Sequence, residues 1–410
     1  MQVKFDDVVV TGIGVVAPNG VGIDQYYNNC IKGVSGINKC SIMKEFNFMS
    51  DYAGEIKDGS NLRWEEKYKK ISELAMDEML RDARLTKEDI ADRKERAALS
   101  VASANVGSIR LEPQIRKKYS KSTEGVNYLI NSDSDILDFN STDCIQYFVK
   151  QLGIGGPVIC SNSACASGTI AIGEAYRMIK SGVADYVVSG GVDVLSDLSL
   201  SGFNAMVNLS KEPCSPFDKN NKGITIGEGA AFFMLERYGE AKKRGAKIYG
   251  RIFGFSTAND AYHVTAPDPN GSGAIYCMKN VFRKRKLSAE DVLYINAHGT
   301  GTLTNDRMEL KAIEKVVEEL NLEKVWFSST KSMIGHCLGA SGSLEFACSA
   351  KGLLEGIMPC SISVEEPLEY DSEHMILVQR EEDSRNYNLF ISNSFAFAGN
   401  SACIGMEKIE

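Results

Sequence analysis

Short apolar runs of strand character recur along nearly the whole chain, each passing through a small turn into residues of helical period. The runs are Asp7–Thr11 ahead of Gly12-Ile13-Gly14, Ala97–Ala102, Val158–Cys160, Tyr186–Ser189 ahead of Gly190-Gly191, Ala230–Leu235, Leu293–Ala297, Val325–Ser328 and Leu389–Ser392. Strands that alternate with helices are connected by crossovers, and the crossover helices cover the faces of a sheet. The pattern predicts an α/β fold.

A coarse internal repeat is also visible. In the first half Val158–Cys160 leads through a Ser/Cys turn into an apolar helix, Gly168–Ile179, that stops at Ser181-Gly182. In the second half Val325–Ser328 leads through Thr330-Lys331-Ser332 and Gly335-His336 into Ser343–Leu354, ending at Gly356. The chain reads as two related α/β halves, 1–255 and 256–410, without a low-complexity linker between them. Residues 106–150 are more polar and less periodic, a cap or dimer-contact excursion, and 259–275 is loop-like and expected beside the active site.

Composition narrows the function. With 46 Lys and Arg against 54 Asp and Glu the net charge is −8, spread without long single-sign blocks, which argues against a nucleic-acid surface. Short basic runs (Arg116-Lys117-Lys118, Lys242-Lys243-Arg244, Arg283-Lys284-Arg285-Lys286) read as solvated faces. The 11 cysteines are odd in number and lack metal-type spacing, Met1–Asp7 is no apolar leader, and no apolar run reaches the roughly 20 residues that span a bilayer. A reduced, cytoplasmic enzyme is expected.

Cys165 lies in Ser161-Asn162-Ser163-Ala164-Cys165-Ala166-Ser167-Gly168, where a strand passes into a helix. Unpaired N–H groups and the positive end of the helix dipole there favour thiolate over thiol, and small neighbours leave room above the sulfur for a bulky acyl group. The same residue could equally be a buried small side chain. Two of the four histidines decide between these readings. His298 and His336 occupy Gly-flanked loops directly after strands, Asn296–Thr302 and Lys331–Ala340, and strand-end loops are where α/β folds build sites. A zinc site lacks the usual close spacing, and a Cys-His hydrolase leaves one histidine unused. Two neutral imidazoles aimed at one point suit hydrogen bonding to a carbonyl oxygen that becomes an enolate, which decarboxylative carbon–carbon bond formation requires.

The ordered motifs resemble the type II β-ketoacyl-acyl carrier protein synthases, condensing enzymes of the thiolase fold, nearly end to end. They are Val8–Gly14, Ala164–Gly168, Pro216-Phe217-Asp218, Gly227–Ala230, Ala241–Ala246, Asp260–His263, the two histidine loops and Asn393-Ser394-Phe395. The resemblance implies two pseudo-duplicated halves in an α-β-α-β-α core. It implies that Cys165 accepts an acyl chain from a carrier protein and that His298 and His336 stabilise the enolate of malonyl-carrier protein. The enolate then attacks the Cys165 thioester, and the N–H groups of Cys165 and Phe397 form the oxyanion hole. Lys331 would be held by carboxylates including Glu345, with Asp306 and Glu309 in support, and Phe397 would be the gating aromatic.

The sequence departs from the family in its gate segment, where Ala396-Phe397-Ala398-Gly399-Asn400-Ser401 replaces Gly-Phe-Gly-Gly-Thr-Asn, and in Gly301, where Ser is more common. A Cβ is costly wherever φ is positive. The altered gate favours a specialised polyketide or polyene pathway over primary fatty-acid synthesis. The resemblance further implies a dimer, either homodimer or heterodimer with a chain-length-factor-like subunit, with Ala184–Val192 as pairing strand. It implies no metal, nucleotide or flavin. A silent chain-length-factor-like subunit would lack the nucleophile that Cys165 supplies, and a thiolase would need Cys337 or Cys403 as a second catalytic cysteine.

Overall fold

The computed structural model describes residues 3–57, 62–105, 107–109, 112–113, 142–221 and 223–409. Its strands are β1 (Val8–Ala17), β2 (Gly20–Val21), β3 (Ile37–Lys39), β4 (Tyr52–Gly54), β5 (Ala97–Ala102), β6 (Val158–Ser161), β7 (Tyr186–Asp193), β8 (Gly229–Arg237), β9 (Gly250–Asn259), β10 (Leu293–Asn296), β11 (Val325–Ser328), β12 (Met375–Leu377), β13 (Leu389–Phe395) and β14 (Asn400–Glu407). All but β3 and β4 belong to one hydrogen-bonded succession, β12-β11-β10-β13-β14-β9-β1-β8-β7-β5-β6, with β2 beside β1.

The repeat is explicit in this order. The first half runs β1-β8-β7-β5-β6 and the second β9-β14-β13-β10-β11, so each places its first, fifth, fourth, second and third strand side by side. The senses match as well: β1–β8 and β8–β7 are antiparallel while β7–β5 and β5–β6 are parallel, and the second half repeats this. The halves join through three residue pairs between β1 and β9. Because β9 opens the second copy, residue 255 lies inside a strand, and the copies meet between Arg237 and Gly250. Gly250, Gly254 and Ser256 interrupt the apolar run of β9, so its sequence does not advertise a strand.

Helices Ser167–Lys180 and Ser341–Glu355, the two repeats of one element, lie between the sheet halves. Helix Trp64–Ala83 covers the outer face of the first half, and Ser272–Val281 with Leu303–Glu319 covers the second, giving the five layers that the family resemblance implies. Small residues let the two central helices meet at their N-terminal ends: a Cβ on Gly168 would come within 2.8 Å of the Gly339 carbonyl oxygen and of Ser343. One core runs through the contact, with Phe346 edge-on to both Phe233 of the first half and Phe390 of the second.

Two expectations change. Ala184–Val192 cannot pair with a second subunit, because β7 is bonded on one side to β5 and on the other to β8. The edge of the first half is β6, paired only with β5 among the described residues. The proposed excursion at 106–150 lies, for 114–141, outside the described residues, as does the basic run Arg116–Lys118.

Candidate active site

Cys165 sits in a tight turn, Ala164–Ala166, that feeds directly into the helix Ser167–Lys180. Ala164 takes φ +48°, a conformation rare outside glycine, and the Ser167 hydroxyl ties the turn by accepting from Ser163 N and donating to Ala164 O. Burial pushes the Cys165 thiol up to about 12, with Lys331 and the Cys165 backbone pulling it down less strongly. The protonated thiol is therefore the resting form. Burial thus opposes the thiolate expected from the helix terminus, raising the thiol more than Lys331 lowers it.

His298 and His336 close the same cavity of about 410 Å³, their ring centroids 5.6 Å apart and their planes at 87°. Phe395 packs edge-on against His298 at 5.7 Å. The tautomers follow from the hydrogen bonds. Nδ1 of His336 accepts from Leu338 N at 3.0 Å, so it bears no proton and Nε2 carries it. Nδ1 of His298 faces the Lys331 ammonium at 3.4 Å; an ammonium only donates, so Nε2 is again the protonated nitrogen. Burial, then Lys331, lowers His336 to about 3, and burial, Lys331 and His336 together hold His298 well below its ordinary value. Both rings are neutral donors at physiological pH.

Lys331 is completely buried. Its ammonium donates to the His298 carbonyl at 2.6 Å and forms an ion pair with Glu345. Burial raises the Glu345 carboxyl and Lys331 pulls it back. Asp306 and Glu309 are buried too, but they do something other than hold Lys331. Glu309 accepts from the N–H groups of His298 and Gly299, both at 2.8 Å, and Asp306 accepts from Thr300 N at 3.1 Å and Phe217 N at 2.8 Å. They fix the backbone of the histidine loop. Burial raises Asp306 to about 6 and Glu309 to about 7.

Phe397 lines the same cavity as Cys165 and packs on Phe203 with centroids 5.9 Å apart. Neither Cys165 N nor Phe397 N has a backbone acceptor among the described residues, whereas Ala166 donates to Ser163 and Ala398 to Val264. The two alanines of the gate differ: Ala396 is extended at φ −137°, where a Cβ costs nothing, and Ala398 stands at φ +60°. Gly301 has a plain reason, since at φ +85° a Cβ would run into the Asn221 side chain, which donates to the Gly301 carbonyl. Cys337 points its Sγ to the Glu228 carbonyl at 3.3 Å and Cys403 lies in the second-half core, so neither lines the cavity. Thr265, Ala266 and Pro267 do, which brings the segment expected as a loop over 259–275 to the site; its first residue ends β9 and its last four open the helix Ser272–Val281.

Sequence reasoning passed over Asp193. Its buried carboxylate accepts from Ser103 Oγ at 2.5 Å, Ala104 N at 2.9 Å and Gly339 N at 2.7 Å, clamping the loop after β5 to the turn that follows His336. Burial raises it to about 6 against these bonds. Its signal was a carboxylate closing an otherwise uncharged strand, two residues beyond Gly190-Gly191.

Residues 5–241 match the beta-ketoacyl synthase N-terminal domain and 249–365 its C-terminal domain. The chain belongs to the beta-ketoacyl synthase family. Membership makes it an acyltransferase of that type. It is 31% identical over 419 residues to 3-oxoacyl-[acyl-carrier-protein] synthase 2 of Staphylococcus aureus strain N315, covering 98% of each chain. It is 33% identical to the protein of the same name from Coxiella burnetii, again over 98% of each. Among solved structures, a type II PKS acyl-carrier protein in complex with its ketosynthase bound to the hexaketide aligns with TM-score 0.88 at 28% identity, covering 99% of this chain and 100% of that one. The ishigamide ketosynthase/chain length factor aligns with TM-score 0.85 at 25% identity, over 98% and 99%. No helix among the described residues of this beta-ketoacyl synthase is long and apolar enough to cross a membrane.

Proposed function

We propose that this beta-ketoacyl synthase joins a Cys165-bound acyl chain to malonyl-carrier protein by decarboxylative Claisen condensation, in a fatty-acid or a type II polyketide or polyene pathway. The observation that carries this is the pair of neutral imidazoles whose Nε2–H groups share one cavity with Cys165.

The cycle follows from these groups. The Cys165 sulfur adds to the acyl thioester of the carrier, whose thiol leaves with the cysteine's proton. Malonyl thioester then enters, and the Nε2–H donors of His298 and His336 bind its thioester carbonyl oxygen. Breaking the bond to the carboxylate releases carbon dioxide and leaves an enolate whose charge those donors stabilise. The enolate carbon attacks the Cys165 thioester carbonyl, whose oxygen is received by the N–H groups of Cys165 and Phe397. Collapse expels the Cys165 thiolate and yields a 3-oxoacyl chain two carbons longer. Neutral donors are needed here, because an imidazolium would hold the carboxylate itself and oppose its departure.

The exposed edge of β6, where Val158 is 41% exposed, supports assembly with a second copy or a related chain-length-factor-like subunit. Ten free cysteines among the described residues support a reducing, cytoplasmic setting. The chemistry needs no metal or organic cofactor. Intact-mass spectrometry with acyl- and malonyl-carrier proteins tests the reading: an acyl adduct on the wild type, absent in Cys165→Ala, followed by a two-carbon-extended product is expected. A wild type that takes no adduct from any donor overturns it.

A further inference from the structure

The short helix Asp197–Ala205 ends beside the cavity, whose wall includes Phe203, Met206 and Asn208. Asn208 N donates to Phe203 O at 3.2 Å and Val207 N to Asn204 O at 3.0 Å, the bonding of a helix end whose left-handed residue is usually glycine. Here that residue is Val207, at φ +56° and 69% exposed. A β-branched side chain adopts this backbone at a cost, and such cost is found where function fixes the chain.

The strained turn delivers Asn208 to the cavity wall, close to Ile224, Thr300 and Thr302. Its backbone is pinned, since Ile224 N donates to Asn208 O at 2.8 Å and Ser210 N to Ile224 O at 2.8 Å. Its carboxamide, in contrast, has no hydrogen-bond partner among the described residues. A carboxamide on a fixed backbone, with both a donor and an acceptor unspent, is available for recognition.

Resting on the condensing reading, we propose that Asn208 binds a secondary amide of the pantetheine arm that brings malonyl and acyl groups to Cys165. An amide offers one N–H and one C=O, which a carboxamide matches together. The malonyl carboxylate offers acceptors alone, so it could engage the Asn208 NH2 but would leave the Asn208 oxygen without a donor. The surroundings fit the same chain: apolar Phe203, Met206 and Pro267 line the cavity together with Thr265, Thr300 and Thr302, the hydroxyls of the last two 3.0 Å apart. Pantetheine likewise combines methylene stretches with amides.

The test uses enzyme pre-acylated at Cys165 and two extenders, malonyl-pantetheine and a malonyl thioester of an alkanethiol of equal length without amides. Asn208→Ala and the near-isosteric Asn208→Leu are expected to raise KM for malonyl-pantetheine about 5- to 10-fold at kcat within about twofold, and to leave KM for the alkanethiol thioester unchanged. Asn208→Leu keeps the cavity filled, so a loss that reflects packing alone would appear with Asn208→Ala only. An unchanged KM for malonyl-pantetheine in both variants, or equal losses with both extenders, overturns the role of Asn208 while leaving the condensing function standing. A wild type that extends neither thioester overturns both.

Discussion

Lys331 and His298 are joined twice: the ammonium donates to the His298 carbonyl at 2.6 Å and faces the Nδ1 of the same residue at 3.4 Å. One cation thereby fixes the loop backbone, selects the imidazole tautomer and keeps the ring neutral. The arrangement is possible because Glu345 balances the charge where both side chains are fully buried.

Removing one partner leaves the other charge buried and uncompensated. Lys331→Met or Glu345→Leu alone is expected to lower the unfolding free energy by about 3–5 kcal/mol, and the double variant to recover most of that loss. The double variant should still fail to condense, because the Nε2–H tautomer of His298 is no longer enforced. Denaturant titration and product assay read the two effects separately; single variants within 1 kcal/mol of wild type, by the same scale, would contradict the pairing.

In the proposed cycle the two histidines and Cys165 divide the reaction. His298→Ala or His336→Ala should leave acylation of Cys165 within severalfold of wild type while lowering condensation about 10²- to 10³-fold. Adduct formation and product formation, followed by mass spectrometry on one sample, check the split. Parallel loss of both steps would mean that the imidazoles serve the first transfer instead.

Stability should carry a signature of the depressed histidine. With His336 at about 3 in the folded protein and an ordinary value of 6.5 unfolded, the unfolded chain binds the extra proton between these limits. Stability contributed by the neutral ring is thus intact above pH 6.5 and falls on acidification, by about 1.4 kcal/mol per pH unit. Between pH 7.5 and 5.0 wild type should lose about 2 kcal/mol more than His336→Asn. Urea titrations at the two pH values measure it, and identical losses would place a charged imidazole in the fold.

Gly301 and Asn221 are coupled sterically. Gly301→Ala meets both the left-handed backbone and the Asn221 side chain, and should cost about 1–3 kcal/mol. Adding Asn221→Ala removes the clash but not the backbone penalty, so part of the loss should return. A double-mutant cycle with no coupling would show the loop absorbing the Cβ elsewhere.

Much of the site was legible because it is locally encoded. Cys165 before a helix and the two Gly-flanked histidines each announce themselves within a dozen residues, and the repeated strand-turn-helix around β6 and β11 reveals the duplication. Other features depend on distant partners. Strands β9 and β14 are rich in Gly, Ser and Ala, and owe their place to antiparallel neighbours on both sides. Asp193 matters through Gly339 and Ser103, and Asn208 through the turn made by Val207.

The sequence by itself determined the α/β class and the pair of related halves, and it singled out Cys165, His298, His336 and Lys331. Burial and packing decided the rest. The Cys165 thiol is protonated because the fold removes it from water, β7 cannot be a dimer strand because both its edges are taken, and Asp306 and Glu309 serve the loop backbone because its N–H groups reach them before Lys331 does. Local residue pattern specifies which group is present. Its protonation state and its partners are set by solvent exclusion and long-range contact, which exist only once the two halves have closed on each other.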